Sequence, residues 1–367
     1  MALKFRPWCI EKSDISIRPT NCRLKICSVS HDSSLAMDSS QQVLILGGSG
    51  FIGTRLAELL IERAVQVRIG DLTQSIAFPH RWASCDVTDS ASIARLLRPK
   101  SAIVNLAAEH RDDVRPLSRY HQVNVGGAIE VCKAARASGV QKIIFTSSVA
   151  VYGLHQHAVG ENGPFEPFNE YGKTKLEAEA IYRAWAEEDP TRTLVIVRPT
   201  VVFGETNRGN VYNLLRQVAN GRFFMVGSGT NIKSMAYVGN VAAFLAHSLA
   251  ICPGVHVSNY VDGPDMNTQD LIAHINHCLG RRRKAPRIPK SLALAGGHLL
   301  DVAAQISGRT FPISAIRVRK FCATTQFRAD RVPQLGFRPE FTLAEALART
   351  VEFEFRESNK DPGRAGS

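Results

Sequence analysis

The sequence predicts an α/β protein with a doubly wound parallel sheet and a smaller carboxyl-terminal substrate-binding lobe. Three observations lead to this fold class. An apolar strand, Val43–Leu46, runs directly into the glycine-rich turn Gly47–Gly53. An acidic residue, Asp71, ends the next apolar stretch, about twenty residues after the glycines. From Gln42 onward, strand-like segments alternate with helical periodicity, as in a parallel sheet covered by helices.

The turn after the first strand reads Gly47-Gly48-Ser49-Gly50-Phe51-Ile52-Gly53. Between a strand and a helix, this spacing binds the pyrophosphate of a dinucleotide at the helix amino terminus. Gly47 permits the tight turn, Gly50 lets the backbone approach the phosphates, and Gly53 lets the helix lie close to the strand. The sequence therefore predicts a dinucleotide site at this turn.

The carboxylate of Asp71 selects the type of dinucleotide. It can accept hydrogen bonds from both hydroxyls of the adenosine ribose, and it repels the 2′-phosphate of NADP. Leu72 and Thr73 supply no cation, although Arg68 is nearby. The position favours NAD, and the alternative is an aspartate that simply begins a turn.

The six candidate strands and three of the candidate helices follow this alternation in order. The strands are Val43–Leu46, Val65–Ile69, Ala102–Leu106, Lys142–Thr146, Thr193–Val197 and Val255–Val261. The helices include Ser90–Leu97, Val123–Ser138 and Tyr171–Glu188. A last helix begins after Thr342, whose hydroxyl and the carboxylate of Glu345 form a capping box.

The predicted domain organisation has four parts. They are an extension over residues 1–40 without clear periodicity, expected to be disordered; an NAD-binding domain over 41–205; a mainly substrate-binding lobe over 206–357, from which strand 255–261 returns to the large sheet; and a polar tail over 358–367. Because the first strand begins just after Met37, we expect a natural start at Met37, with the upstream residues an extension of the reading frame.

The charge and the apolar segments limit the partners of the chain. The net charge is +12, which suits polyanionic small ligands. No nucleic-acid module pattern accompanies it, and the basic run Arg281–Lys284 lies beside Gly280 and Pro286, as in a solvated loop. No stretch approaches the ~20 apolar residues of a membrane span. The segment Leu292–Ile306 is interpreted as a packed helix pair or an apolar surface, with membrane contact a minor alternative.

The eight cysteines are scattered, without a pair or Cys/His cluster at metal spacing. We therefore expect no metal site, and free thiols in a reducing compartment, the cytoplasm.

The chemistry-bearing residues are Tyr171, Lys175 and Ser148. Positions i and i+4 share one helix face, so the Lys175 ammonium can lie near the Tyr171 phenol. A cation about 4 Å away at an effective dielectric of ~20 contributes about 4 kcal/mol. This would bring the phenol pKa near 7, suited to general acid–base catalysis. Ser148, at a strand end, can donate to the same substrate oxygen. The alternatives are an ordinary helix surface and a turn serine.

Taken together, these motifs resemble the extended short-chain dehydrogenases/reductases of the nucleotide-sugar epimerase/dehydratase family. The matching segments cover nearly everything from residue 42 to about 355. They are Gly47–Gly53, Asp71, Asp86-Val87, Asn105-Leu106-Ala107-Ala108, Asn124, Ser147–Gly153, Tyr171–Lys175, Arg198–Gly204 and Gly336-Phe337-Arg338-Pro339.

The resemblance implies a Rossmann domain, the cofactor NAD and a homodimer formed through helices 123–138 and 171–188. It implies that Ser148, Tyr171 and Lys175 are catalytic. The implied cofactor-binding residues are Gly47, Gly50, Phe51, Ile52, Gly53, Asp71, Asp86, Val87, Ala107, Ala108, Tyr171 and Lys175. The implied substrate-binding residues are Ser148, Asn210, Lys233 and Arg319, although surface polar roles suit Asn210 and Arg319 equally well. Asn124 is implied to support the fold near the site.

Departures from the family pattern narrow the activity. Lys233 stands where the family has arginine, which loses the bidentate fork, and Asn240 stands where it has aspartate. Sugar 4,6-dehydratases carry Asp-Glu where this chain has Val149 and Ala150. Because these two apolar side chains cannot move protons, dehydration is rejected.

The sequence thus predicts NAD-dependent oxidation and reduction at C4 of a nucleotide sugar, as in a UDP-sugar 4-epimerase. A nucleotide-4-keto-sugar reductase of polysaccharide biosynthesis, a sterol or alcohol dehydrogenase, and a non-catalytic NAD-sensing scaffold are the alternatives.

Overall fold

A computed structural model of the protein describes residues 41–111, 114–155, 157–282, 285–307 and 315–357. The predictions for the extension, for the start at Met37 and for the polar tail lie outside the described residues. Twelve strands and eleven α-helices are present in the described ranges. The strands are β1 Gln42–Leu46, β2 Gln66–Asp71, β3 Trp82–Ser84, β4 Ala102–Asn105, β5 Lys142–Thr146, β6 Thr193–Pro199, β7 Val201–Phe203, β8 Met225–Val226, β9 Ile232–Tyr237, β10 Gly254–Tyr260, β11 Asp262–Asn267 and β12 Arg287–Ile288.

The helices connect and cover these strands. They are α1 Phe51–Glu62, α2 Ser90–Ala94, α3 Ser118–Tyr120, α4 Gly127–Ala137, α5 Glu170–Glu187, α6 Asn210–Ala219, α7 Val238–Ser248, α8 Thr268–Cys278, α9 Lys290–Ser307, α10 Ala315–Cys322 and α11 Leu343–Glu352. A π-helical turn, His121–Gly126, joins α3 to α4. None of the described helices has both the length and the apolar content needed to cross a bilayer.

Seven parallel strands form the main sheet in the order β10-β6-β5-β4-β1-β2-β3. The chain builds outward from β1 through β2 to β3 and then returns to place β4 on the other side of β1. The strand order therefore reverses between β1 and β4. In open α/β sheets, ligands bind in the crevice at this switch point, beyond the carboxyl ends of the strands.

The main sheet is buried on both faces, which explains its continuous apolar strands. Val43 and Ile45 of β1 pack with α1 and α7, whereas Leu44 and Leu46 pack with α4 and α5 on the opposite face. The predicted α/β doubly wound sheet is confirmed.

A second, smaller core lies beside the carboxyl edge of the main sheet. A three-stranded sheet, β11-β9-β7, packs against α6, α8 and α11 around an apolar cluster that includes Phe203, Leu215, Met235, Ile272 and Leu347. Two further strands, β8 and β12, pair in parallel. This arrangement is the smaller carboxyl-terminal lobe of the predicted fold class.

Local signals located several elements correctly. Strand Lys142–Thr146 has the predicted bounds, and the Thr342–Glu345 capping box begins α11 as predicted. The helix predicted at Val123–Ser138 begins instead with the π-helical turn. The segment beginning at Leu292 packs as a helix against α10 and also exposes leucines.

Candidate active site

A cavity of about 930 Å³ opens at the carboxyl edge of the main sheet, at the switch point. Its walls come from the turns after β1, β2, β4, β5 and β6 and from the second lobe. The sequence-predicted residues that line it are Gly47, Gly50, Phe51, Ile52, Gly53, Asp71, Val87, Ala107, Ala108, Ser148, Tyr171, Lys175 and Asn210. The fold thus gathers thirteen of the sixteen predicted site residues in one place.

The glycines of the first turn are required by close backbone contacts. Gly47 has φ +73°, and a Cβ there would lie 2.7 Å from the backbone nitrogen of Ala107 across the switch point. A Cβ at Gly53 would lie 2.5 Å from the Cα of Gly48. Because both neighbours are backbone atoms, neither can move aside. These contacts bring α1 close to β1, as predicted.

The amino terminus of α1 is suited to hold an anion. Gly50 caps the helix without a side-chain hydrogen bond, and no acidic residue occupies the first turn. The first backbone N–H groups of a helix have no intrahelical acceptor, and the helix dipole adds positive potential. The pyrophosphate of a dinucleotide matches these donors.

The carboxylate of Asp71 braces the same turn. One oxygen accepts a hydrogen bond from the Ser49 nitrogen at 3.1 Å, and the other from the Thr73 nitrogen at 3.0 Å. Each carboxylate oxygen retains a further lone pair, so ribose hydroxyls can still donate to it. The residues present therefore fit NAD.

Replacing Asp71 by alanine is expected to weaken NAD binding about tenfold or more, since hydrogen bonds to a charged acceptor are lost. NADP binding weakens less, because repulsion of its 2′-phosphate also disappears. Titration of both cofactors measures the ratio of affinities. Asp89→Ala is the control, because Asp89 caps α2 outside the cavity. An unchanged ratio in Asp71→Ala would count against the ribose role.

Ser148 and Tyr171 converge from two segments. Ser148 follows β5 and lines the cavity. Asn169 begins α5 by accepting a hydrogen bond from the Gly172 nitrogen at 2.9 Å, which places Tyr171 in the first helical turn. The Ser148 hydroxyl lies close enough to the Tyr171 phenol to lower its pKa. A phenol and a hydroxyl thus face the cavity together.

Lys175 lies one turn further along α5. Its Nζ atom donates to the Thr146 carbonyl at 2.8 Å and lies 6.0 Å from the centroid of the Tyr171 ring. The residue is 3% exposed. The three predicted catalytic groups therefore share one corner of the cavity.

The electrostatics of this corner differ from the sequence prediction. Burial raises the pKa of Tyr171 to about 12, opposed by the hydrogen bond to Ser148. Burial also lowers the pKa of Lys175 to about 7, opposed by the charge of Glu179. The prediction that Lys175 brings the Tyr171 pKa near 7 is therefore wrong for this structure. Desolvation sets the direction of the phenol pKa shift, and the ammonium bonds to the Thr146 carbonyl instead of the phenol.

The lowered pKa of Lys175 predicts how the free energy of unfolding depends on pH. Unfolding restores it to 10.5, so between about pH 7 and 10 the unfolded chain binds more protons. The free energy of unfolding therefore rises with pH in this window. Lys175→Met is expected to lose that rise, a change on the order of a few kcal/mol, measured by urea unfolding at several pH values.

The matched control is Lys173→Met, an exposed position on the same helix, which is expected to retain the rise. Equal pH slopes in the wild type and in Lys175→Met would contradict the buried-lysine account.

A buried polar network supports the catalytic corner. Glu179, one turn beyond Lys175, accepts a hydrogen bond from Ser147 Oγ at 2.6 Å and bonds from the Arg198 guanidinium at 2.8 and 2.5 Å. Arg198 also donates to the Tyr152 hydroxyl at 2.5 Å. The network fixes α5 against the ends of β5 and β6. Arg198 belonged to a recognised motif, but no local signal paired it with Glu179.

Asn124 provides a second brace. Its side chain accepts from the Glu109 nitrogen at 2.9 Å and donates to Thr174 Oγ1 at 3.0 Å. It thereby joins the loop after β4 to α5, beside the cavity.

Three predicted site residues do not line the cavity. On β9 it is Ser234, the neighbour of Lys233, that lines the cavity wall. Adjacent side chains of a strand point to opposite faces, so Lys233 points away from the cavity. Arg319 is exposed on α10. The carboxylate of Asp86 accepts bonds from Thr88, while the flanking Cys85 and Val87 reach the cavity.

Sequence reasoning missed several other wall residues. His110, Arg119, Asn207, Thr325 and Phe327 line the cavity. Arg119 lies on α3 and the other four come from connecting segments, so that their positions depend on the packing of the two lobes.

The described residues contain no cluster of three or more His, Cys, Asp or Glu that could hold a metal ion. All five cysteines in the described ranges are free thiols.

Comparisons with known proteins agree with this geometry. The model of the NAD dependent epimerase/dehydratase family matches residues 43–256. The N-acetyl-alpha-D-glucosaminyl-diphospho-ditrans,octacis-undecaprenol 4-epimerase of Escherichia coli O157:H7 is 47% identical over 88% of this chain and 98% of its own length. The UDP-glucose 4-epimerase of Vibrio cholerae is 27% identical over 87% and 97%.

A solved structure of UDP-glucose 4-epimerase with UDP-glucose, from Thermotoga maritima, superposes with a TM-score of 0.68. It is 20% identical and covers 87% of this chain and 99% of the other. At this identity the similarity shows the fold.

Proposed function

Because this chain belongs to the NAD-dependent epimerase/dehydratase family, we propose that it is a 4-epimerase of an N-acetylhexosamine joined to a diphosphate. The cofactor is NAD. The observation that carries the proposal is the convergence of Tyr171, Ser148 and Lys175 beside the glycine turn.

NAD, held by the turn Gly47–Gly53 and by Asp71, would supply reversible hydride transfer at C4 of the sugar. Tyr171 exchanges a proton with the C4 oxygen, and Ser148 holds that oxygen by a hydrogen bond. Lys175 lies beside the Tyr171 ring and donates to the Thr146 carbonyl, which fixes this corner of the cavity. Val149 and Ala150 cannot remove a proton from C5, so the chemistry stays at C4.

Two carriers of the sugar diphosphate fit the comparisons. The 47% identical relative acts on a sugar carried by undecaprenyl diphosphate, and this carrier is the one we propose. A UDP-sugar, as expected from the sequence and as used by the 27% identical relative, is the second candidate.

Incubation of the enzyme with N-acetylglucosaminyl diphospho-undecaprenol and, separately, with UDP-N-acetylglucosamine tests the carrier. The sugars are released by acid and separated by chromatography. We expect N-acetylgalactosamine from the lipid-linked substrate, with a higher kcat/KM than from the UDP-sugar. Product from neither substrate would reject the proposed function.

A 4-ketoreductase is the main alternative reaction. An epimerase returns its cofactor to the starting state in every turnover and can keep it bound. We therefore expect denaturation of the purified protein to release about one NAD per chain. Stoichiometric consumption of added NADH with a 4-keto sugar would support the reductase instead.

We also propose an oligomeric state, a cellular location and a biological role for the chain. A homodimer through α4 and α5 is supported by the 49% exposure of Ile129 on α4. Location in the cytoplasm is supported by the free thiols. A role in polysaccharide synthesis rests on the likeness to the E. coli relative.

A further inference from the structure

We propose that the outward face of α9, together with the basic segment before it, docks on an anionic lipid bilayer. This docking face comprises Leu292, Ala295 and Leu299 of α9 and the described basic residues of the preceding segment, Arg281, Arg282, Arg287 and Lys290. None of these residues lines the catalytic cavity.

The outward stripe of α9 is apolar. Leu292 is 64% exposed and Leu299 is 72% exposed, and Ala295 between them is also exposed. Spacings of three and four residues place them on one side of the helix. A surface helix normally turns polar residues outward. Here two large apolar side chains face outward instead, which marks an interaction surface.

The basic segment carries positive charge with no acidic residue near it in the sequence. The chain has no aspartate or glutamate between Asp270 and Asp301, and six basic residues lie within 281–290. Arg287 donates to the Gln269 side-chain oxygen at 2.7 Å, and Arg281 donates to the Ala219 carbonyl. Both acceptors are neutral, so these bonds leave the positive charges intact.

The pairing of β12 with β8 brings a third feature to this corner. The Met225 nitrogen donates to the Pro286 carbonyl at 2.8 Å, and Met225 pairs with Arg287. Phe224, which precedes β8, is 52% exposed. The exposed Phe224 and the exposed Arg287 are therefore neighbours, and Leu292 follows shortly after Arg287 in the sequence. Apolar groups beside basic groups are the composition of helices that lie in a membrane interface.

Charge complementarity favours a bilayer over a second copy of this chain. An isologous contact brings two copies of the same patch together, so two basic segments would come close to each other, and like charges repel. Anionic lipids offer phosphates to the arginines and hydrocarbon to the leucines. The inference does not depend on the proposed function, although a docked enzyme would meet a polyprenol-linked sugar at the membrane surface.

Co-sedimentation of the full chain with vesicles, in the absence of substrate, tests the inference. We expect binding to vesicles of phosphatidylglycerol and phosphatidylcholine in equal amounts, weaker binding to phosphatidylcholine alone, and loss of binding at high salt. The double variant Leu292→Ser, Leu299→Ser is expected to bind at least about tenfold more weakly. Arg287→Gln with Lys290→Gln is expected to lower binding to the anionic vesicles only.

The matched control is Ile76→Ser, which removes an apolar side chain that is 98% exposed on another loop and is expected to bind as the wild type does. Circular dichroism verifies that each variant is folded. Absence of wild-type binding to anionic vesicles, or equal binding by the leucine double variant, would overturn the proposal. The proposal would also be overturned if the wild type did not bind vesicles and the leucine double variant differed from it in molecular mass in solution. That result would indicate that the face contacts a second copy of the chain.

Discussion

Replacing Tyr171 by phenylalanine is expected to lower epimerase turnover about 10²-fold or more, with NAD affinity close to that of the wild type. The phenol is the group that can move the C4 proton, and phenylalanine keeps the ring while removing that group. The remaining hydroxyl, that of Ser148, is a much weaker acid than a phenol. Steady-state turnover and cofactor titration measure the two effects separately.

Tyr212→Phe is the matched control for this variant. The Tyr212 ring stacks on Phe355 with centroids 6.0 Å apart and does not line the cavity, so turnover should be unchanged. Near-normal turnover in Tyr171→Phe would remove the phenol from the mechanism. A loss of folding, seen by circular dichroism, would instead assign Tyr171 a structural role.

Replacing Arg198 by methionine is expected to lower the free energy of unfolding by about 3–5 kcal/mol, since it breaks a buried ion pair and strands one charge. Arg198 and Glu179 are each 1% exposed. Without the guanidinium, Glu179 keeps the bond from Ser147 and the more distant Arg183, at 3.6 Å. Urea unfolding at neutral pH measures the loss.

Two companion variants make this result specific. Adding Glu179→Leu to Arg198→Met should restore part of the stability, because the uncompensated carboxylate is removed. Arg136→Met breaks an ion pair with Glu188 whose side chains are 43% and 41% exposed, and it should cost no more than about 1 kcal/mol. Equal losses in Arg198→Met and Arg136→Met would contradict the buried-network account.

The main sheet was predictable because its strands are buried on both faces. The apolar composition of runs such as Lys142–Thr146 by itself indicates a buried strand. The glycine turn indicates where β1 ends and α1 begins. Strands β3, β8 and β12 have two or three residues each. Segments this short have no measurable period, so only the packing of the complete chain defines them.

The catalytic corner was predictable for the same local reason. Ser148 follows a recognisable strand, and Tyr171 and Lys175 share a helix face by spacing alone. The correct wall residue on β9 was not predictable, because choosing between Lys233 and Ser234 requires the orientation of the strand. The directions in which the pKa values of Tyr171 and Lys175 shift were not predictable either. They depend on how deeply the two side chains are buried, and the i, i+4 spacing does not indicate burial.

The proposed reaction requires that the hydride removed from C4 of the sugar returns to the same carbon. Conversion of N-acetylglucosaminyl diphospho-undecaprenol labelled with deuterium at C4, in ordinary water, is the sharpest test of this requirement. We expect an epimerised product that retains deuterium at C4, seen by mass spectrometry and NMR. Epimerised product in which hydrogen from water has replaced the deuterium would contradict it.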